Sequence, residues 1–185
     1  GIVTATSSGL DYETAQSCTV TILATSADSS TGSTQFTIAV TDVDEFDVST
    51  PSDSNGATNT VAENAENAAT VGVTASSSDA DGSTNGITYT AAFNSCADGN
   101  GDDALGVHED TGVVTVVETN GLNYEAAQTC TITVRATSQD LSTADTTFSV
   151  AVTDHDEFDV GAPSDADADD NTLAEDVANG ASAEI

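Results

Sequence analysis

The chain has no lysine, and its one basic residue, Arg135, stands against 32 Asp plus Glu, giving a formal net charge of -31 at pH 7. Such a surface repels nucleic acid phosphates and anionic headgroups, which excludes both as partners and leaves cations as the complementary ones. No apolar run approaches the ~20 residues needed to cross a bilayer, so this chain carries no membrane span. No basic segment followed by an apolar stretch marks a secretion signal either, so any export signal lies outside it. Methionine and tryptophan are missing and aromatics make up only 4% of the 185 residues, so the core must be lean. There are three cysteines and no Cys-x-x-Cys pair, which gives zinc or redox chemistry no footing. Catalysis is equally poorly provided for. His108 faces no histidine in any related segment, His155 aligns with Val43, and no nucleophile elbow or phosphate loop frames the many Ser and Thr.

What the chain does have is an internal repeat. At an offset of 112, Leu10 to Pro51 lies over Leu122 to Pro163 without a gap, and 26 of the 42 positions are identical. Leu10-Asp11-Tyr12-Glu13 answers to Leu122-Asn123-Tyr124-Glu125, and Thr41-Asp42-Val43-Asp44-Glu45-Phe46-Asp47-Val48 to Thr153-Asp154-His155-Asp156-Glu157-Phe158-Asp159-Val160. The same offset carries Val61-Ala62-Glu63-Asn64 onto Leu173-Ala174-Glu175-Asp176. Self-similarity of this length marks a tandem array. The expected organisation is the back half of one repeat over 1–47, a complete repeat over 48–159 and the opening of a third over 160–185. The chain thus reads as a window on a longer polymer, built of covalently continuous repeats or of identical subunits.

Within the complete repeat, apolar and small polar residues alternate in the manner of half-buried antiparallel strands. Val71, Val73 and Ala75 share one face, as do Ile87, Tyr89, Ala91 and Phe93; Cys130, Ile132, Val134 and Ala136; and Phe148, Val150 and Val152. Short strands near Thr60 to Ala62, Leu105 to Val107 and Val113 to Val116 bring the expected total to about seven. Seven short strands in some 110 residues predict an all-β chain of immunoglobulin-like Greek-key sandwiches in a linear array.

The acids are clustered rather than scattered. Two unit charges ~4 Å apart at an effective dielectric near 20 repel by about 4 kcal/mol, and one arginine cannot neutralise runs such as Asp42 to Asp47. An oxygen-rich ligand set without nitrogen or sulfur selects a hard cation, and Ca²⁺ accepts six to eight oxygens in flexible geometry, whereas Mg²⁺ keeps more of its waters. Asp165, Asp167, Asp169 and Asp170 read instead as a solvated linker, and Asn100-Gly101-Asp102-Asp103 as a turn.

Ala62-Glu63-Asn64, Asp79-Ala80-Asp81, Leu10-Asp11-Tyr12-Glu13, Asp28 and Asp42-Val43-Asp44-Glu45, taken in order, resemble the motifs of the cadherin family. The resemblance is to the calcium-binding tandem repeats of large prokaryotic surface proteins. It implies Ca²⁺ at the junctions between repeats. The first junction would draw on Asp11, Glu13, Asp42, Val43 by its carbonyl, Asp44, Glu45 and Asp47, with Asp79, Asp81 and Asp140 from the following repeat. The next would use Glu63, Glu125, Asp154, Asp156, Glu157 and Asp159. Asp44, Asp47, Asp156 and Asp159 stand where the family usually has Asn, so two or three ions per junction are both compatible with the pattern.

In the sandwich topology so implied, the third strand runs antiparallel beside the sixth. That brings Cys96 to Cys130 and predicts a disulfide, while Cys18, the copy of Cys130, has its partner outside the chain. Oxidising, extracellular surroundings follow. Residues 1–47 lack the early strands of their sandwich, so Cys18, Val20 and Ile22 need cover from elsewhere, either from a longer chain or from residues 171–185 of a neighbouring molecule. The function expected is structural: a calcium-stiffened cell-surface stalk, adhesin shaft or filament, and not an enzyme. Adhesive modules recognising glycans or other surface proteins, or spacers in a secreted enzyme, are the alternatives.

Overall fold

The computed structural model describes residues 1–6, 9–96, 103–119, 121–157, 159–166 and 171–181. Asn100, Gly101 and Asp102 of the expected turn, and Asp167, Asp169 and Asp170 of the expected linker, lie outside them. Ten strands are formed among the described residues: β1 (Ser17–Thr25), β2 (Thr31–Ala39), β3 (Ser52–Asp53), β4 (Thr60–Ala62), β5 (Thr70–Ser76), β6 (Ile87–Asn94), β7 (Leu105–Val107), β8 (Val113–Val116), β9 (Thr129–Ser138) and β10 (Thr143–Thr153). No helix among the described residues is long and apolar enough to cross a membrane. The chain divides into two compact units, 1–155 and 156–185.

In the first unit, β4-β10-β9-β6 and β3-β5-β8-β7 form two four-stranded sheets. Val71, Val73 and Ala75 of β5 and Val114 and Val116 of β8 are buried in one core cluster with Ile132 and Val134 of β9 and Val150 of β10. Threonines fill the alternate positions of β9, where a β-branched side chain suits the pleat and its hydroxyl faces outward. The sandwich of immunoglobulin type is therefore present, with all seven expected strands.

Two details differ from the sequence reading. An eighth, two-residue strand precedes the others, because the edge strand is split between the sheets. Ser52–Asp53 pairs antiparallel with β5, Asp53 Oδ1 accepts from the Asn55 amide and Asn55 Oδ1 from the Ala57 amide in the turn, and β4 then joins β10 in parallel. This pairing is parallel, whereas the other strands pair antiparallel. The second difference lies in β6. Ile87 is half-buried and Tyr89 buried, but Ala91 is exposed on this edge strand. A bulge between Ala91 and Phe93 turns Phe93 outward, 61% exposed, and Asn94 inward. The buried amide is satisfied: Asn94 Nδ2 donates to the Leu105 carbonyl at 2.8 Å and Oδ1 accepts from the Cys96 amide at 3.0 Å.

That last contact holds the start of the loop bearing Cys96. Cys96 and Cys130 are joined in a disulfide with a Cα separation of 5.4 Å, and both are buried.

The β1–β2 hairpin repeats β9–β10 strand for strand: Ser17 pairs with Ala39 as Thr129 pairs with Ala151. Its turn is the same too, with Ser29 and its counterpart Leu141 both in the left-handed region at φ 68° and 77°. Among the described residues its apolar face has no opposing sheet. Cys18 and Val20 are half-buried, while Ile22, Phe36 and Ile38 are exposed. In the second unit Val160, Leu173 and Val177 are exposed.

The disulfide closes a loop between residues 34 apart in sequence. Its loss in the double variant Cys96→Ala/Cys130→Ala should cost about 3–4 kcal/mol on the chain-entropy account. The measurement is the denaturant midpoint of the double variant against the parent. A drop below about 1 kcal/mol would show that packing alone holds this end of the sandwich.

Candidate metal centre

The loop ahead of β1, the segment leaving β2 and the loop after β5 converge on one place. Glu13, Asp42, Glu45 and Asp81 each offer a carboxylate oxygen there, all within 4.8 Å of one another. A second group shares one member: Asp44, Asp81 and Asp140 meet under the same criterion. Asp81 is the hinge between them and is fully buried. Its two oxygens accept the amides of Glu45 at 3.2 Å and Phe46 at 3.3 Å, and its own amide donates to Asp79 Oδ1 at 3.1 Å. The segment leaving β2 is thereby tied to the loop of the following sandwich.

Neighbouring groups hold the other acids in place. The Gly82 amide donates to Glu13 Oε1 at 2.9 Å. A Cβ at Gly82 would lie 2.7 Å from two ring carbons of Tyr12, so this loop passes the ring only as glycine. The Ser83 hydroxyl donates to Asp42 Oδ2. Asp140 accepts the Ser142 amide at 2.8 Å in the β9–β10 turn. A third grouping brings Glu63 together with Glu125 and Asp154, the counterparts of Glu13 and Asp42. Glu63 is buried and accepts the amides of Tyr124 and His155, both at 2.6 Å.

Several other expected ligands fall outside these groups. Asp11 accepts from the amide and hydroxyl of Thr14 at 3.0 and 2.8 Å, closing its own turn. Val43 is 64% exposed, and Asp47 is exposed. Asp79 holds Asp81 rather than joining the cluster. Asp156 and Asp159 are exposed in the second unit, to which Glu157 also belongs. Sequence reading missed Gly82, Ser83 and Ser142. Gly82-Ser83 follows directly on Asp79-Ala80-Asp81, which is the one signal that could have suggested the first two.

The electrostatics of the site call for a cation. The Asp44 carboxyl is pushed up to about 6, first by desolvation, then by the hydrogen bond to Asp81 and the charge of Asp140. Glu45 is raised too, by desolvation and then by Glu13, Asp81 and Asp42. Asp42 Oδ1 and Asp79 Oδ2 are shielded from solvent without a hydrogen-bond donor, an arrangement that costs free energy unless something else satisfies the oxygen. Arg135 is engaged elsewhere, its Nε and Nη2 donating to Asp145 at 2.8 Å. All-oxygen ligands, orphaned acceptors and mutual repulsion fit a hard divalent cation of calcium's size and ligand preference. Asp42, Asp44, Glu45, Glu13, Asp81 and Asp140 are the residues that would hold it.

Comparison with known proteins agrees with the architecture. The profile of the cadherin domain matches residues 58–156. Among solved structures, extracellular cadherin domains 3–6 of Protocadherin Gamma B2 superpose with a TM-score of 0.62 at 22% identity, covering 79% of this chain and 34% of that one. The cis-dimer structure of Protocadherin gammaB7 EC3–6 gives 0.62 at 24% identity, with 78% and 35% covered. Mouse clustered PcdhgC3 EC1–3 gives 0.60 at 20%, with 78% and 46% covered. These likenesses concern the fold, and the chain spans about a third to a half of the length of these structures. No curated protein matches the chain.

The raised carboxyls set the direction of a pH effect. Asp44 binds its proton more tightly in the folded chain than its ordinary value of 3.8. Its stabilising contribution is therefore full below 3.8 and lost as pH rises through about 6. Metal-free protein should melt at lower temperature at pH 7 than at pH 5, and calcium should remove or reverse that difference. Thermal melts in EGTA across this range check it; a melting temperature that climbs from pH 5 to pH 7 without metal would contradict it.

Proposed function

The chain belongs to the cadherin family, its match to the cadherin domain covering more than half its length, and from that premise we propose an extracellular, calcium-stiffened array of repeats serving a structural or adhesive role at a cell surface. The observation that carries this reading is the sharing of acids across the first junction. Glu13, Asp42, Asp44 and Glu45 come from the segment assigned to one repeat, 1–47, and Asp81 and Asp140 from the next, 48–159. A cation bound there is held by both neighbours at once. The angle between repeats is then set by coordination rather than by burial, which suits a chain with so little apolar side chain to place between domains.

Without the cation, the same carboxylates repel one another and the junction loosens. No catalytic step enters this reading. The recurrence of Glu13 and Asp42 as Glu125 and Asp154, grouped again with a further acid, supports a periodic series of such junctions, and a stalk, shaft or filament is what such a series builds. The disulfide between Cys96 and Cys130 supports an oxidising location outside the cell.

Calcium at a hundredfold excess over Kd should stabilise the chain by about 2.7 kcal/mol per independent site. Asp81→Ala, which removes the acid common to both groups at the first junction, should abolish binding there and spare the site containing Glu63. Calorimetric titration counts the ions and thermal melting reads the stabilisation. If EGTA left melting and calcium stoichiometry indistinguishable from zero binding, the acids would serve solubility alone.

A further inference from the structure

Two acids of the first junction, Asp44 and Glu45, ride on the segment leaving β2, and that segment is fastened to the following sandwich by contacts that need no metal. The amides of Glu45 and Phe46 donate to Asp81. Just beyond them Val48 is buried in the core cluster, and its amide donates to the Ser142 hydroxyl at 2.9 Å. Ser142 gives its own amide to Asp140 Oδ1, so one residue holds both the linker and a carboxylate of the group formed by Asp44, Asp81 and Asp140. Ser49 is locked to the loop after β5: its amide donates to the Ser78 carbonyl at 2.8 Å, and the Ser78 amide donates to the Ser49 hydroxyl at 2.8 Å. Ser78 directly precedes Asp79, whose Oδ1 accepts the Asp81 amide. The Ser77 amide donates to the hydroxyl of the buried Tyr89 at 2.9 Å, which anchors this receiving loop to the core. From the preceding side, by contrast, the Gly82 amide and the Ser83 hydroxyl are met by Glu13 and Asp42, which are members of the acid group themselves, and Val43 between the two sides is 64% exposed.

We infer that Ser142, with Ser49 beside it, is a positioning residue of the cation centre: it keeps the arm bearing Asp44 and Glu45 seated against Asp81 and Asp140 before an ion arrives, so that binding has only Glu13 and Asp42 left to draw in. The hinge of a metal-free junction then lies between Asp42 and Asp44, and the linker from Glu45 onward moves with the following sandwich. Apparent affinity falls in proportion to the fraction of molecules already in the binding arrangement. Removing the Ser142 hydroxyl leaves the Val48 amide without its acceptor beside a buried side chain, and an amide so stranded favours the undocked arrangement in which water reaches it. This role for Ser142 rests on the cation reading of the junction and adds to it which side is preformed.

Amide hydrogen exchange on the full chain in EGTA reads the seating without any substitution. The amides of Glu45, Phe46, Val48 and Ser49 should exchange at least about 10-fold more slowly than in an unstructured chain. Calorimetric titration with calcium then compares Ser142→Ala, Ser142→Thr and the double variant Ser49→Ala/Ser142→Ala with the parent. Ser142→Ala should weaken binding at the first junction by about 5- to 10-fold with the number of ions unchanged. The double variant should bind more weakly still, and Ser142→Thr, which keeps the hydroxyl, should bind as the parent does. A serine that is merely structural would lower the melting temperature of the metal-free chain and leave these affinities alone. Should a variant fold poorly, exchange in the parent still decides whether the arm is seated. Unprotected amides in EGTA, equal affinities in the parent and both alanine variants, or a threonine variant as weak as the alanine one would overturn the positioning role while leaving calcium at the junction intact. A parent that takes up no calcium would overturn both together.

Discussion

Carboxylate repulsion without protein cations is the constraint on which the rest of this molecule depends. A net charge of -31 with one arginine leaves no internal means of offsetting three groups of converging acids. The ion pair of Arg135 with Asp145 is about half exposed and lies on β9 and β10; pairs of that kind contribute little. Cohesion of the sandwich must therefore come from a small aliphatic core and a disulfide. The fold gathers acids from the loop ahead of β1, the segment leaving β2 and the loop after β5.

Asp81 shows how the parts are coupled. It is buried because the chain leaving the first repeat folds over it, and that chain is positioned by the amides of Glu45 and Phe46 donating to it. The same carboxylate belongs to both acid groups at that junction. A change there would be felt in the linker, the ligand sets and the loop after β5 together. Gly82 serves the same coupling by letting the Tyr12 ring approach while its amide holds Glu13.

Much of this was legible in the sequence, because two periodicities carried it. The alternation in β5, β9 and β10 follows from the pleat and needs no knowledge of neighbours. The offset of 112 exposed the repeat and, through the resemblance it supported, the order of the acidic motifs. What remained hidden depends on relations that a linear pattern does not encode. The bulge after Ala91 reverses the facing of Phe93 by adding one residue to an alternation that looks unbroken. The split edge strand arises from a turn at Asp53 to Ala57 that reads as ordinary linker. Among the acids, both oxygens of Asp11 accept from Thr14 and one oxygen of Asp79 accepts from the Asp81 amide; these contacts are set by backbone geometry over two or three residues.

The most direct test is diffraction from crystals grown in calcium, with anomalous data that distinguish Ca²⁺ from water. The account predicts peaks inside the groups of Glu13, Asp42, Glu45 and Asp81 and of Asp44, Asp81 and Asp140, with oxygen ligands at about 2.3–2.6 Å. Ordered water alone at both positions in saturating calcium would contradict it.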